Sequence, residues 1–225
     1  AILKYGIQAR PADRAVSWLP FFHDMGLVGL VLSPMAAQIS VDYLNTRDFA
    51  MRPRLWLTLM SQNRGTVSFS PPFGYELAAR RVRDDEVDKL DLSAWRIAGV
   101  GAEPIRTEPL KRFADLLAPS GFDRRSFVAS YGMAECSLAI SFAPLGEGIS
   151  LDRVDSERLA KDGLALAAAG DGFDAAAEGV DLAVALHRQI VRRGHIVDQV
   201  NFARAQRGDA RCVFWDLTAG DSFPR

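Results

Sequence analysis

Short apolar runs alternate along the chain with stretches whose apolar positions recur every three to four residues, and that alternation sets the predicted order of elements. Residues 15–19 (Ala-Val-Ser-Trp-Leu) read as a strand that stops at Pro20, which has no N–H to give to a ladder. Residues 25–35 are apolar nearly all round and contain glycine, the pattern of a buried, closely packed helix. Residues 39–43 read as the next strand. Residues 53–63 follow as a helix with Leu55, Trp56, Leu59 and Met60 on one face. Residues 66–69 are β-branched and aromatic, a strand that breaks at Ser70-Pro71-Pro72. The helix after it carries Tyr75, Leu77 and Ala78 into the charged run 80–91, a solvated helix end and loop. Residues 95–100 form a strand opening into Gly101. Thr107 is placed to cap a helix whose Leu110, Phe113, Ala114 and Leu117 fall at i, i+3, i+4 and i+7. Residues 126–130 form another short strand, which delivers Tyr131-Gly132 at its carboxyl end.

Repetition of strand, glycine turn and helix predicts an α/β fold of layered sheets with packed helices. Ligand sites in such folds are built at strand carboxyl ends. The texture changes near residue 165. Residues 165–177 are rich in Ala, Gly and Asp and read as a linker or weak helix. Residues 180–191 read as an amphipathic helix through Leu182, Leu186 and Ile190, and residues 211–217 as a strand. The chain contains no internal repeat.

At 225 residues the chain is long enough to bury a sizeable core, and 48% hydrophobic with 24% charged residues is ordinary globular usage. A formal net charge of -1 gives no excess of basic side chains for a nucleic-acid partner. The two cysteines, Cys136 and Cys212, form neither a CxxC pair nor a disulfide framework, which fits a reducing compartment and a cytoplasmic location. The longest apolar run, residues 25–37, is too short to span a bilayer. The first residues show neither an initiator Met nor a secretion signal, and the chain reads as a piece of something longer.

Four segments carry residues with chemistry. Ser17-Trp18-Leu19-Pro20-Phe21-Phe22-His23-Asp24-Met25-Gly26-Leu27 sets a histidine between a proline turn and an apolar helix. Ser70-Pro71-Pro72-Phe73-Gly74-Tyr75 has a backbone fixed by two prolines, with aromatic rings suited to wall an apolar channel or to fill the core. Gly101-Ala102-Glu103-Pro104-Ile105 follows a buried strand, where glycine permits a tight turn against a flat ligand. Glu103 is open between ligand contact and a capping or surface carboxylate. Tyr131-Gly132-Met133-Ala134-Glu135 offers an aromatic face for stacking, a close backbone approach and a hard carboxylate oxygen suited to Mg²⁺. Each segment alone also fits plain packing: a core tyrosine with a surface glutamate, or a histidine satisfied by Asp24.

In this order the four segments resemble the nucleotide and acyl sites of the adenylate-forming (AMP-forming acyl ligase) superfamily, and within it the fatty acyl-AMP ligases. The resemblance implies part of the large N-terminal domain of such an enzyme. Residues 1–165 would be its core portion and residues 166–225 a divergent tail. Residues 142–164 resemble the insertion that separates fatty acyl-AMP ligases from acyl-CoA synthetases. It further implies ATP and Mg²⁺, a fatty acid converted to acyl-AMP, and transfer to an acyl carrier protein or polyketide synthase. The implied adenylate contacts are Gly101, Ala102, Glu103, Ser130, Tyr131, Gly132 and Met133; the acyl contacts are His23, Met25, Ser70 and Phe73. His23 and Glu135 take the catalytic roles, with Glu135 on the metal and His23 positioning substrate.

Two family features are absent from the sequence: a Gly/Ser/Thr-rich phosphate loop ending in Lys, and the C-terminal domain with its mobile lysine. The isolated chain is therefore expected to be inactive. A non-catalytic acyl- and nucleotide-binding module and a fragment of an acyl-CoA synthetase are the alternatives. Thr218-Ala219-Gly220-Asp221 departs from the family's ribose-binding pattern by an extra residue, so no ribose role passes to Asp221. Cys212 to Asp216 with Gly220-Asp221-Ser222 bears a faint likeness to serine esterases of the SGNH type, although Ser222 sits far from the usual place of that nucleophile.

Overall fold

Five short strands run in one direction and build most of the sheet: β1 (Arg14–Ser17), β2 (Ser40–Tyr43), β3 (Val67–Ser70), β4 (Ile97–Val100) and β5 (Phe127–Gly132). The sixth, β6 (Ala139–Phe142), returns antiparallel to β5, giving the order β2-β1-β3-β4-β5-β6. The helices are α1 (Asp24–Leu27), α2 (Ser33–Ala37), α3 (Thr46–Met51), α4 (Arg54–Gln62), α5 (Pro72–Arg81), α6 (Asp84–Val87) and α7 (Thr107–Leu117). This computed structural model describes residues 2–155 and 179–183. The linker read at 165–177, the strand read at 211–217, Ser222 and Asp221 lie outside the described residues, as does the end of the 142–164 insertion.

β1, β3, β4 and the start of β5 are buried along nearly their whole length, the signature of a parallel sheet covered on both faces. One face packs under α4, α5 and α7, where Trp56, Tyr75, Trp95, Phe113, Phe122 and Phe127 form a continuous aromatic cluster. Its ring pairs are mostly edge-to-face at 5.1–5.3 Å, the geometry the ring quadrupole favours. Every polar atom taken into this cluster by Trp56, Tyr75 and Trp95 is satisfied. Trp56 Nε1 donates to Ser68 Oγ at 2.9 Å, Ser68 Oγ donates to the Val16 carbonyl at 2.6 Å, and Trp95 Nε1 donates to the Ile97 carbonyl at 2.8 Å. Tyr75 belongs wholly to this core: it is fully buried and its hydroxyl donates to the Gly99 carbonyl at 2.9 Å. The opposite face carries Ile7, Val67, Ile97 and Val128.

Several expectations need correction. The stretch 25–35 is not one buried helix. It is α1, a wider-wound turn over Val28–Leu32, and α2, with Leu27, Leu32 and Met35 exposed, because only one stripe meets the sheet. Gly26 does serve close packing, since a Cβ there would run into the Pro20 carbonyl. β1 ends at Ser17 rather than at residue 19. Thr107 is the first residue of α7 and Arg106 takes the cap position, so the threonine's helical backbone leaves it no capping role. Residues 143–150 are irregular, the charged stretch after them opens as β7 (Leu151–Asp155), and the helix read from residue 180 begins as β8 (Gly179–Ala183). The two pair antiparallel, Leu151 with Ala183 and Asp155 with Gly179. Val180-Asp181-Leu182 fits a period of two as well as of 3.6, and strand pairing decides between them.

A buried ion pair ties the amino ends of three strands together. Asp13, 5% exposed, accepts from Arg96 Nε at 2.8 Å and from a second guanidinium nitrogen, from Arg10 N at 2.8 Å and from Thr66 Oγ1 at 2.9 Å. Arg96 also donates to the carbonyls of Ile7 and Gln8, both at 3.1 Å. Burial pushes the Asp13 carboxyl up, but the bonds from Arg96, the Arg10 amide and Thr66 outweigh it and hold it below the ordinary value. A carboxyl depressed by folding stabilises above its unfolded pKa, about 3.9, and loses that contribution as pH falls through the folded value. Asp13→Asn is expected to flatten the acid limb of stability against pH. At pH 7 it should cost about 3 kcal/mol, because Arg96 is left without its counter-charge. Urea unfolding of both proteins from pH 7 down to pH 2 checks this; parallel acid limbs would refute it.

Candidate functional site

Register brings the four chemistry-bearing segments to one edge of the sheet. Ser70 pairs with Val100 and Val100 with Ala129, so the chain leaves β3 at Pro71, leaves β4 at Gly101 and reaches Ser130 on β5 at one level. β1 lies beside β3 with Ala15 opposite Val67, and its carboxyl end leads through Trp18 and Pro20 to His23. Four neighbouring parallel strands thus send their exits to the same side.

His23 caps α1 from an extended backbone, and its side chain is half exposed. Its Nδ1 lies 3.1 Å from Met25 N and 2.8 Å from Asp24 Oδ1, and Asp24 Oδ1 accepts from the same amide at 2.8 Å. Protonated, the ring donates from Nδ1 to Asp24 and keeps a second donor at Nε2. Neutral and accepting from Met25 N, it again carries its proton on Nε2. In each state Nδ1 is committed to the chain and Nε2 is the nitrogen left for another partner, a donor in these two and an acceptor when a neutral ring donates from Nδ1 to Asp24. Asp24 therefore orients the histidine, and Gly26 seats the helix start on Pro20.

The exits of β3 and β4 touch. Glu103 Oε1 accepts from Phe73 N at 3.1 Å. Phe73 is half exposed and packs edge-on against Trp18 at 5.8 Å. Trp18 itself is buried and stacked on Phe49 at 3.8 Å, and among the described residues its indole N–H has no partner. Ser70 Oγ, fully buried, donates to the Pro71 carbonyl at 2.8 Å. Ala102 is exposed with φ +69°, a left-handed backbone uncommon for a residue with a Cβ. Beside it, Gly101 lies so close to Ser130 that a Cβ would sit 2.6 Å from the Ser130 carbonyl oxygen, and Ser130 Oγ donates to the Val100 carbonyl at 3.1 Å.

Tyr131 and Met133 are partly buried at the end of β5, where the ladder to β6 shifts register between Tyr131 and Gly132. Tyr131 packs on a small cluster with Ala129, Ala143 and Ile105. Gly132 is needed for the fold itself: a Cβ would overlap the Leu138 carbonyl of the returning strand. Glu135 sits exposed on the short turn Ala134–Cys136, next to exposed Cys136 and to Ser137, whose φ is +69°.

A narrow apolar cavity of about 30 Å³, room for about one water, lies on the α1–α2 side between Met25, Gly29, Phe69, Leu138 and Phe142. Of the four residues expected along an acyl channel, Met25 lines it; His23, Ser70 and Phe73 do not. Leu138, which both backs Gly132 and lines this cavity with Met25, was not singled out from sequence, and neither was Trp18 as the partner of Phe73. Each is an ordinary apolar residue whose place depends on pairing far along the chain. A second, polar hollow at Asp115 and Gly121 to Arg125 lies beside the amino end of β5, away from these segments. Among the described residues no group of three His, Cys, Asp or Glu side chains is placed to hold a metal ion.

Comparison with known proteins places this geometry. The family model for AMP-binding enzymes matches residues 2–163. A putative acyl-CoA synthetase of Caulobacter vibrioides is 52% identical over 166 residues, covering 74% of this chain and 29% of that protein. A medium-chain-fatty-acid–[acyl-carrier-protein] ligase of Teredinibacter turnerae is 43% identical over 125 residues, covering 56% of this chain and 20% of its own. A solved structure from work on the fatty acyl-adenylate ligases of E. coli and L. pneumophila superposes with a TM-score of 0.76 at 50% identity, over 81% of this chain and 32% of that one. The chain thus spans between about a fifth and a third of the length of these three proteins. The expected fold, part of the large N-terminal domain of an adenylate-forming enzyme, holds. With its strand-end segments in order and the family match over residues 2–163, the chain belongs to the AMP-binding enzymes.

Proposed function

We propose that the parent protein activates a fatty acid with ATP, forming acyl-AMP and pyrophosphate, and then offers the acyl group to a carrier-protein thiol. The observation that carries this reading is the arrival of all four segments at the carboxyl ends of four adjacent parallel strands. Acyl activation needs an adenine slot, charge compensation at the phosphates and an acyl channel that ends beside them. Tyr131 supplies the stacking face. The backbone of Gly101, Ala102, Ser130, Gly132 and Met133 lines the nucleotide, with Glu103 beside it. His23 donates from Nε2 to the substrate carboxylate or α-phosphate, held by Asp24. Met25 and Phe73 border the acyl chain, while Ser70, fully buried with its hydroxyl on the Pro71 carbonyl, holds the exit of β3 beneath it.

Glu135 would hold Mg²⁺, which supplies charge neutralisation at the phosphates when bound. A lone exposed carboxylate suits that ion, because Mg²⁺ takes one or two protein carboxylates and completes its shell with phosphate and water oxygens. The chain is divided in the same reading into a core over residues 1–165, with the acyl-AMP-ligase insertion at about 142–164, and a divergent tail at 166–225. No helix among the described residues is long and apolar enough to cross a membrane, and the reading has the enzyme meet its carrier protein in the cytoplasm. The Caulobacter relative's name favours a second reading, in which CoA accepts the acyl group.

In the full-length parent, Tyr131→Ala is expected to raise KM for ATP about tenfold with little change in KM for the fatty acid, the loss of one stacked ring. Fatty-acid-dependent pyrophosphate release at varied ATP measures it, and an unchanged KM for ATP would remove Tyr131 from the adenine slot. Glu135→Ala should instead lower kcat about a hundredfold while acyl binding persists. Supplying CoA or a carrier protein to the same parent separates the two readings. Accumulated acyl-AMP with CoA present, cleared by the carrier, fits the ligase. Acyl-CoA released as fast as ATP is consumed would make the parent an acyl-CoA synthetase. No pyrophosphate at all would leave a binding module.

A further inference from the structure

We propose that Glu103 is a positioning residue that couples the acyl wall to the adenylate-lining turn, acting through the amino end of α5 rather than by contact with the nucleotide. This rests on the adenylation reading above. The first turn of a helix exposes four amides without partners, and here the sequence removes most of them. Pro71 at the cap position and Pro72 at the first helical position have no N–H, and Gly74 N already donates to the Pro71 carbonyl at 3.0 Å. Phe73 N is the first amide that α5 offers, and Glu103 Oε1 takes it at 3.1 Å. A carboxylate at this end also meets the positive pole of the helix.

On the other side of the same carboxylate lies a backbone that does not favour its own shape. Ala102, the residue before Glu103, holds φ +69°. Gly101, before that, is pinned against the Ser130 carbonyl. The turn is thus fixed at its start by packing on β5 and at its end by the tether to α5, with the unfavourable residue between. Phe73, whose amide is the tether, presses its ring on Trp18 at the exit of β1. One continuous set of contacts therefore runs Trp18, Phe73, Glu103, Ala102–Gly101, Ser130, across the exits of β1, β3, β4 and β5. Loosening Glu103 frees Ala102 to leave the left-handed region and Phe73 to shift at the same moment, so both substrates should be affected by one change.

The test is a double-substitution cycle in the full-length parent, read by pyrophosphate release at varied ATP and varied fatty acid, with thermal unfolding alongside. Glu103→Ala is expected to raise KM for both substrates about fivefold, the scale of one lost hydrogen bond. Glu103→Gln, which keeps the acceptor oxygen, should recover most of that. Ala102→Gly added to Glu103→Ala should recover part of it too, because glycine holds the left-handed turn without the tether. A Glu103→Ala protein that melts earlier but keeps both KM values would reduce the carboxylate to a helix cap and overturn the proposal. A loss confined to ATP, equal in Glu103→Gln and untouched by Ala102→Gly, would make Glu103 a nucleotide ligand and overturn it equally. If the wild-type parent releases no pyrophosphate, the adenylation reading is what fails. The coupling is then judged by melting temperature: non-additive shifts for the two substitutions support it, and additive shifts refute it.

Discussion

Parallel strands impose a direction on everything that leaves them. β1, β3, β4 and β5 point the same way, so their connections depart from one edge, and each must cross back by way of a helix before the next strand can start. The helices α4, α5 and α7 that make the crossings supply the aromatic core, and the turns that begin the crossings supply the candidate site. Core and site are products of one topological requirement. Breaking the sheet order would scatter His23, Phe73, Gly101 and Tyr131 even if every local turn were kept.

The two ends of the sheet are built differently. At the amino ends Asp13, Arg96 and Thr66 form a largely buried, multiply bonded knot that also holds the carbonyls of Ile7 and Gln8. Arg96 just before β4 reaches Asp13 just before β1, with Thr66 from just before β3 between them, so the pair locks strand starts that are far apart in sequence. At the carboxyl ends the exits of β3 and β4 meet through the bond from Phe73 N to Glu103, the Phe73 ring packs on Trp18, and Phe73 and Glu135 are open to solvent. Anchoring at one end leaves the more open end to the turns that meet a ligand.

Glycine illustrates how fold and site share residues. Gly101 and Gly132 are bare because backbone carbonyls of Ser130 and Leu138 occupy the space of a Cβ, and Gly26 because Pro20 does. Those contacts bring the turns close to one another, and a flat ligand then meets backbone rather than side chains. The same glycines thus shape the site by allowing the protein to pack on itself.

How much could be read from the chain alone depended on the range of the interaction. Local patterns were enough for β2 to β4, α4, α5 and the buried face of α7, because periodicity reports which face of an element is apolar whatever it packs on. The segment order was enough for the family and for a list of candidate residues. What required tertiary structure was every question settled by a neighbour distant in sequence. Tyr75 and Phe73 are two residues apart with the same credentials, yet a helix turn sends one to Gly99 in the core and the other to the rim beside Trp18. Glu103 read as an isolated carboxylate in the sequence, and only the fold shows that α5, thirty residues earlier, presents an amide to it. β7 went unread and β8 looked like a helix because strand identity there lies in the pairing of residues 151–155 with 179–183, and a pairing partner is not a local property. Sequence determined the apolar faces and the inventory of reactive groups; only the fold decided which of those groups share an edge, since hydrogen bonds and contacts between strands are made across distances the sequence does not encode locally.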